Sequence, residues 1–403
     1  MNQMKSNSKI YILIVIGTVS AIGPFVTDFY LPALPELMTF FGTTSSMTQL
    51  SLTFSMIGLA VGQIFIGPLS DKYGRKMPLL LSMLLFTIST IFCLFSWNIE
   101  CFIISRFIQG FTGAGGIVIS RSIATDLYTD KELAKFFSML SCVQGLAPIC
   151  APVLGGMLLK FTDWRGIFLA LLIIGVLMTL VLTKFRDSLS KENRLNENIA
   201  TKFLYYKPIL RNEVFMYYVL IQSFSMGVMF AYIASSPFIY QKIYHLSPIA
   251  YSLCFGINAF AIMIGNLCIT RFSTTEEGLL TGVKGFIAMS IITVMALCIS
   301  SSIIVIEITF FCLLFFLGMI LPTSTTLALD LERQNSGNAS AIIGFLTFVS
   351  GGIISPLTGL GNILYSTSVI ILFCCIFILL CTRKVVKVLC TRKALNAVVE
   401  VKK

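Results

Sequence analysis

Two ionisable side chains sit where charge is expensive. Asp28 lies in Gly23-Pro-Phe-Val-Thr-Asp-Phe-Tyr-Leu-Pro-Ala-Leu-Pro35, and Arg106 begins the run Arg-Phe-Ile-Gln-Gly110. Both stretches are apolar and long enough to cross a bilayer. An ionised group at the centre of such a span costs about 2.5–3.5 kcal/mol on insertion scales unless it is paired or hydrated. A carboxyl held between burial and a nearby cation is suited to proton exchange, because the two act on its charge in opposite senses. At 1.5 Å per residue, Asp28 lies roughly 28 Å along its helix from Lys9, and Arg106 roughly 30 Å from Asp126. The two can therefore meet at one level of the membrane. The plainer alternative is a static ion pair that only fixes helix packing.

A second cluster is extramembrane. Gly67-Pro-Leu-Ser-Asp71-Lys-Tyr-Gly74-Arg75-Lys76 separates two apolar runs. Its paired glycines allow backbones to approach closely, and Asp71 and Arg75 lie one helical turn apart. With Asp126 at the end of the Arg106 span, these residues have the makings of a charged latch near the start of span 11. A solvated charge run would explain Lys72 and Lys76, but not glycines placed around an aspartate.

The elements that position these groups follow from composition. The chain has 403 residues, 56% hydrophobic and 12% charged, against about 25% charged in soluble domains. Apolar runs of about 20 residues, the length of a membrane crossing, alternate with short charged intervals. We read twelve spans, near 10–35, 46–69, 77–97, 100–124, 133–160, 164–184, 213–240, 247–270, 279–299, 302–327, 336–362 and 364–382. The domains are then an N-terminal six-helix bundle at 1–184, a cytoplasmic linker at 185–212, a C-terminal bundle at 213–383 and a basic tail at 384–403. Of 29 Lys and Arg, Lys160, Arg165 and Lys242 fall on odd-to-even loops and Arg106 and Arg121 inside span 4. The rest are assigned to the termini and even-to-odd loops, which places both termini in the cytoplasm. The net charge of +11 is thus a matter of topology, not of nucleic-acid binding. Residues 1–9 are too short and polar for a separate signal peptide. Asp163-Trp-Arg165 has the composition of an interfacial anchor, and the linker offers no chemistry of its own.

Several classes are excluded. No phosphate-binding Gly-rich loop ending in Lys-Ser or Lys-Thr occurs, so ATP drive is unsupported. The single His245 and the absence of a nucleophile–base pairing argue against an enzyme. The twelve cysteines lie mostly inside spans without metal-ligand spacing and read as small apolar residues. No cofactor or metal is expected. What remains is transport driven by an ion gradient.

The two halves echo one another. Ala124-Thr-Asp126-Leu127 matches Ala328-Leu-Asp330-Leu331; at the same offset Pro152 and Gly155 fall on Pro356 and Gly359, and Gly23 on Gly227. A shared offset supports parallel repeats. The charge breaks the symmetry, since Asp28 maps to Tyr232 and Arg106 to Phe310. Asp28 is read as the one acidic residue well inside a span. Proton chemistry is expected in the N-terminal half, with Tyr30, Gln109, Gly113, Arg121, Gln222, Met226, Met229 and Tyr232 lining a substrate cavity.

The loop from Gly67 to Lys76 resembles that between helices 2 and 3 of major facilitator superfamily transporters. Arg106-x-x-Gln109-Gly110 resembles the helix-4 motif of that family, whose arginine is associated with proton coupling. Thr27-Asp-Phe-Tyr-Leu-Pro-Ala-Leu-Pro35 and Phe224-Ser-Met-Gly-Val-Met-Phe-Ala-Tyr232 resemble the Bcr/CflA group of drug exporters within it. Ala147-Pro148-Ile-Cys-Ala-Pro152-Val-Leu-Gly155-Gly156 is similar to the antiporter motif of span 5, with alanines at Ala147 and Ala151 where glycine is commoner. The resemblance implies an all-α membrane fold of two six-helix bundles around a central cavity, and a monomer in the bacterial inner membrane. It further implies a proton-driven exporter of amphipathic drug-like molecules. A dedicated exporter of one metabolite or siderophore, an importer, or a non-transporting membrane sensor are the alternatives.

Overall fold

The computed structural model describes residues 9–128, 146–190, 192, 194, 206–332 and 336–401. These are helical throughout apart from turns, as expected of chain that must satisfy its backbone without water. The first span is broken. Helix α1 (Lys9–Asp28) accommodates Pro24, then stops; a 3₁₀ turn at Leu31–Ala33 leads into α2 (Leu34–Phe40). Pro32 has no N–H to give to the Asp28 carbonyl, so the α-helical ladder of α1 is not continued, whereas Pro35 sits in the first turn of α2, where no such donor is needed.

The next helices are α3 (Ser45–Tyr73), α4 (Lys76–Leu94) and α5 (Ile99–Leu127), then α6 (Leu146–Leu158) and α7 (Trp164–Thr183). The starts of α3, α5 and α7 are capped by side chains. Thr44 accepts from Met47 N at 3.2 Å, Asn98 from Cys101 N at 2.8 Å and Asp163 from Arg165 N at 3.0 Å, each supplying an acceptor that a first turn lacks. After the short α8 (Tyr206–Leu210) come α9 (Glu213–Phe238), which ends in a π-turn at Ile239–Ile243, and α10 (Pro248–Cys268). Helices α11 (Thr275–Cys298), α12 (Ile303–Leu331), α13 (Ser336–Leu357) and α14 (Ile363–Val401) complete the chain. Eleven helical stretches among the described residues are long and apolar enough to cross a membrane, with Leu146–Leu158 a shorter apolar helix. Part of the span expected at 133–160 lies outside the described residues.

The chain forms two compact units. The first comprises 1–199 with 233–257, the second 200–232 with 258–403. In the first unit, α3 and α5 cross at glycine. A Cβ on Gly58 would lie 2.7 Å from the Phe111 amide nitrogen, and one on Gly110 would overlap the Ser55 carbonyl. This is the close approach that small residues permit in a bundle with no hydrophobic drive between helices.

Two sequence expectations need correction. Trp164 is not an interfacial anchor: it is fully buried, with Phe40, Phe41, Phe102 and Phe168 rings at 5.3–5.9 Å. Lys284, assigned to a loop, lies exposed well inside α11, where its long stem allows the ammonium to reach away from apolar surroundings. The stretch 384–401, read as a basic tail, is helical and continues α14. Glu307 is a further acidic residue in a membrane-length helix, near the start of Ile303–Leu331.

Candidate functional site

Asp28 closes α1 and is 6% exposed; Arg106, one-quarter along α5, is 0% exposed. They share a level without forming an ion pair. Arg106 Nη2 instead donates to the Val26 carbonyl at 2.5 Å, and Nη1 to Gln109 Oε1. The reason is the break in the first span. Val26 lies in the last turn of α1, where carbonyls have no intrahelical donor, and the guanidinium supplies one. The same guanidinium stacks 4.2 Å from the Tyr30 ring centroid and 5.6 Å from that of Phe168, a favourable place for a desolvated cation. Its Nε has no hydrogen-bond partner among the described residues.

Gln109 is held from both sides: its Nε2 donates to Thr90 Oγ1 at 2.7 Å while Oε1 accepts from Arg106. Cys93 also points at Oε1, with Sγ at 3.9 Å, and is a free thiol, as is Cys101. Tyr30, fully buried, shares a hydrogen bond with Ser51 at 3.1 Å. Arg106, Gln109, Tyr30, Val26 and Thr90 thus form one polar knot inside the first unit, with Asp28 beside it.

The other residues expected at a cavity divide. Gly113 is packed between Ile22, Val26 and Phe86. Arg121 is exposed on α5. In the second unit, Gln222 Oε1 accepts from Thr325 Oγ1 at 2.8 Å and Ser324 Oγ at 3.4 Å, Met226 and Met229 are half-buried, and Tyr232 is 3% exposed.

At the charged loop, Arg75 is 6% exposed and bonded on every side. Its Nε and Nη2 donate to the Asp126 carboxylate at 2.8 and 3.2 Å, and Nη1 to Asp71 at 2.5 Å and Ser70 Oγ at 2.8 Å. Burial would lower the guanidinium's pKa, but hydrogen bonds and attraction from Asp126 and Asp71 outweigh it and hold the value above the ordinary arginine range. Gly74 takes φ +89°, left-handed backbone that favours glycine, and a Cβ there would collide with Asp187. Gly67 lies half-buried, 3.2 Å from Val118 Cγ1 by the same construction.

The linker, read as chemically silent, joins this cluster. Asp187 Oδ1 accepts from Arg75 N at 2.8 Å, Ser188 Oγ donates to Asp126 Oδ2 at 2.8 Å, and Arg194 pairs with Asp187 at 3.1 Å. An aspartate followed by serine just after a helix is the one signal that could have drawn notice to it. In α6, Pro148 is half-buried and Pro152 buried. A Cβ on Gly155 would overlap the Phe29 carbonyl beside Asp28, and one on Gly156 would lie 2.9 Å from the Pro248 carbonyl. The motif of span 5 is therefore a close-packing surface against the broken first span and residues 248–252.

Among the described residues the chain is helical, has eleven membrane-length helices and buries Asp28 and Arg106 with no ion pair between them, which is the build of a secondary transporter and not of an enzyme. The chain belongs to the Major Facilitator Superfamily, whose pattern matches residues 16–356. It is 38% identical to an uncharacterized MFS-type transporter, YdgK, of Bacillus subtilis, over 88% of this chain and 92% of that one. It is 30% identical to a bicyclomycin resistance protein homolog of Haemophilus influenzae, over 89% and 90%. Among solved structures it resembles a bacterial homolog of the human lysosomal transporter Spinster, TM-score 0.74 at 16% identity, covering 94% of this chain and 99% of that one. At that identity the likeness is one of fold.

Proposed function

We propose that this transporter is a proton-coupled exporter of amphipathic, drug-like molecules, working by alternating access with both termini in the cytoplasm. The observation that carries the reading is the buried Arg106, which has no carboxylate partner among the described residues although Asp28 lies buried at the same level. Two opposite charges out of water and apart are costly to keep, so the arrangement is consistent with a carboxyl that is neutral in one state and ionised in another. In the ionised state the Arg106 Nε is the available donor; in the neutral state the guanidinium rests on Val26 and Tyr30. The resistance relative at 30% identity supports a drug-like cargo. Met226 and Met229, half-buried in the second unit, supply thioether surface suited to such cargo.

The latch Asp71–Arg75–Asp126 would close the cytoplasmic side. The test is export of bicyclomycin and of the cationic dye ethidium from cells lacking their own exporters. Wild-type protein should lower accumulation of at least one in a manner abolished by a protonophore. Asp28→Asn, at equal membrane abundance, should abolish that effect. Protonophore-sensitive export by the Asp28→Asn variant at the wild-type rate would refute the assignment.

A further inference from the structure

The second unit holds a polar cluster beside the position that the internal repeat makes equivalent to Asp28, with Asn258 buried and Glu307 half-buried. Tyr232 stands at the position equivalent to Asp28, and its ring packs 4.9 Å from that of Phe310, the equivalent of Arg106. Asn258 on α10 is 0% exposed; its Nδ2 donates to Tyr232 Oη at 2.9 Å and to Glu307 Oε2 at 3.1 Å. Its Oδ1 is buried and has no partner among the described residues. An intramembrane carboxylate is costly and is a functional candidate by default.

From this geometry we propose that Glu307 is a second proton-binding group of the transporter, with Asn258 as the element that serves both of its charge states. This rests on the proton-coupled reading above for its role in transport. With the carboxylate ionised, the two amide hydrogens of Asn258 point at the carboxylate and at the phenol oxygen. When the carboxylate takes a proton from water, that proton needs an acceptor. Turning the Asn258 amide by half a revolution puts Oδ1 where Nδ2 was, and its two lone pairs then accept from the Glu307 carboxyl and from the Tyr232 hydroxyl. The amide thus offers a donor to the carboxylate and, once turned, an acceptor to the carboxylic acid.

The charged residues elsewhere on these helices are distant in level. Lys284 on α11 lies roughly 15 Å further from the Cys298–Ile303 turn than Glu307 does, and Asp330 about 35 Å along α12. On α9, Glu213 begins the helix, roughly 28 Å from Tyr232. The α13 segment carries no charged side chain, and α14 none before Arg383. Cys254, Cys298 and Cys312 are the thiols at this end of α10, α11 and α12.

The experiment needs no substrate. Purified full-length protein in lipid is stepped from mildly alkaline to mildly acidic buffer while the infrared carboxylic-acid C=O stretch is recorded. Glu307→Gln should lose one component of that band while Asp28→Asn keeps it. Asn258→Leu should move the midpoint of this component towards higher pH, a shift that a structural role for the carboxylate would not produce. Glu307→Asp, retaining a carboxyl, should keep a displaced band and so separates loss of the group from loss of the fold. A Glu307→Gln difference spectrum identical to wild type would overturn the proposal. Persistence of every component in Asp28→Asn would instead count against the coupling role of Asp28 and leave Glu307 standing.

Discussion

Replacing Asp187 with alanine should release the linker without touching the ion pairs of the loop it covers. Three hydrogen bonds end on this carboxylate: from Arg75 N at 2.8 Å, from Leu189 N at 3.1 Å and from Arg194 Nη2 at 3.1 Å. The second is local and contributes little to docking. The Arg194 pair is partly exposed, with side chains at 28% and 23%, and belongs at the weak end of surface ion pairs, about 0.2–1 kcal/mol. The backbone hydrogen bond to an ionised acceptor is the strong one, about 1.5–3 kcal/mol. A total near 2 kcal/mol corresponds to roughly a 30-fold rise in the undocked population, at 1.36 kcal/mol per tenfold. Hydrogen exchange of peptides covering residues 185–190 and 74–76 reads that population directly, and tryptic cleavage after Arg186 reports it independently. Asp187→Asn keeps an acceptor oxygen and loses the charge, so it should fall between wild type and alanine. Exchange in Asp187→Ala within twofold of wild type would refute the assignment of the linker as a docked part of the latch.

Other perturbations probe different parts of the structure. Gly110→Ala should destabilise the first unit by about 1–3 kcal/mol, as overpacking does, because its Cβ meets the Ser55 carbonyl, whereas Gly113→Ala, whose nearest neighbour would be at 3.4 Å, should be near neutral; thermal unfolding in detergent compares the two. The raised Arg75 value gives a pH prediction. A cation stabilised in the fold contributes fully below its ordinary pKa and is lost only as pH climbs through the raised one, so linker protection should be flat from neutral pH to about pH 10. Arg75→Lys, with an ordinary value of about 10.4 and no planar fork to span Asp126, should lose protection even at neutral pH and lose more on the alkaline side, measured by the same exchange experiment.

Much of the site was legible because charge is conspicuous in an apolar sequence. Asp28, Arg106 and the Asp71–Arg75 spacing need only the cost of ionisation in lipid and the helical repeat to stand out. What Arg106 bonds to was not legible. Its partner is a main-chain carbonyl freed by the break before Pro32, and a backbone acceptor leaves no mark in composition. Asp187 and Ser188 were passed over because a polar linker looks the same in sequence whether docked or free. Glu307 was passed over because it lies near a helix end, where depth read from span boundaries is least certain. Trp164 was misplaced because tryptophan beside a charged pair suits both an interface and an aromatic core.

By itself the sequence determined the class of the molecule: long apolar runs must become helices in a bilayer, and the placement of lysine and arginine argues for their direction across it. It also determined which residues would be too costly to bury without a purpose. Only the tertiary structure decided who meets whom. Hydrogen-bond partners across helices depend on where each helix stops, how close glycines let neighbours come and which carbonyls a proline sets free. Those are properties of several segments at once, so no single stretch of sequence encodes them.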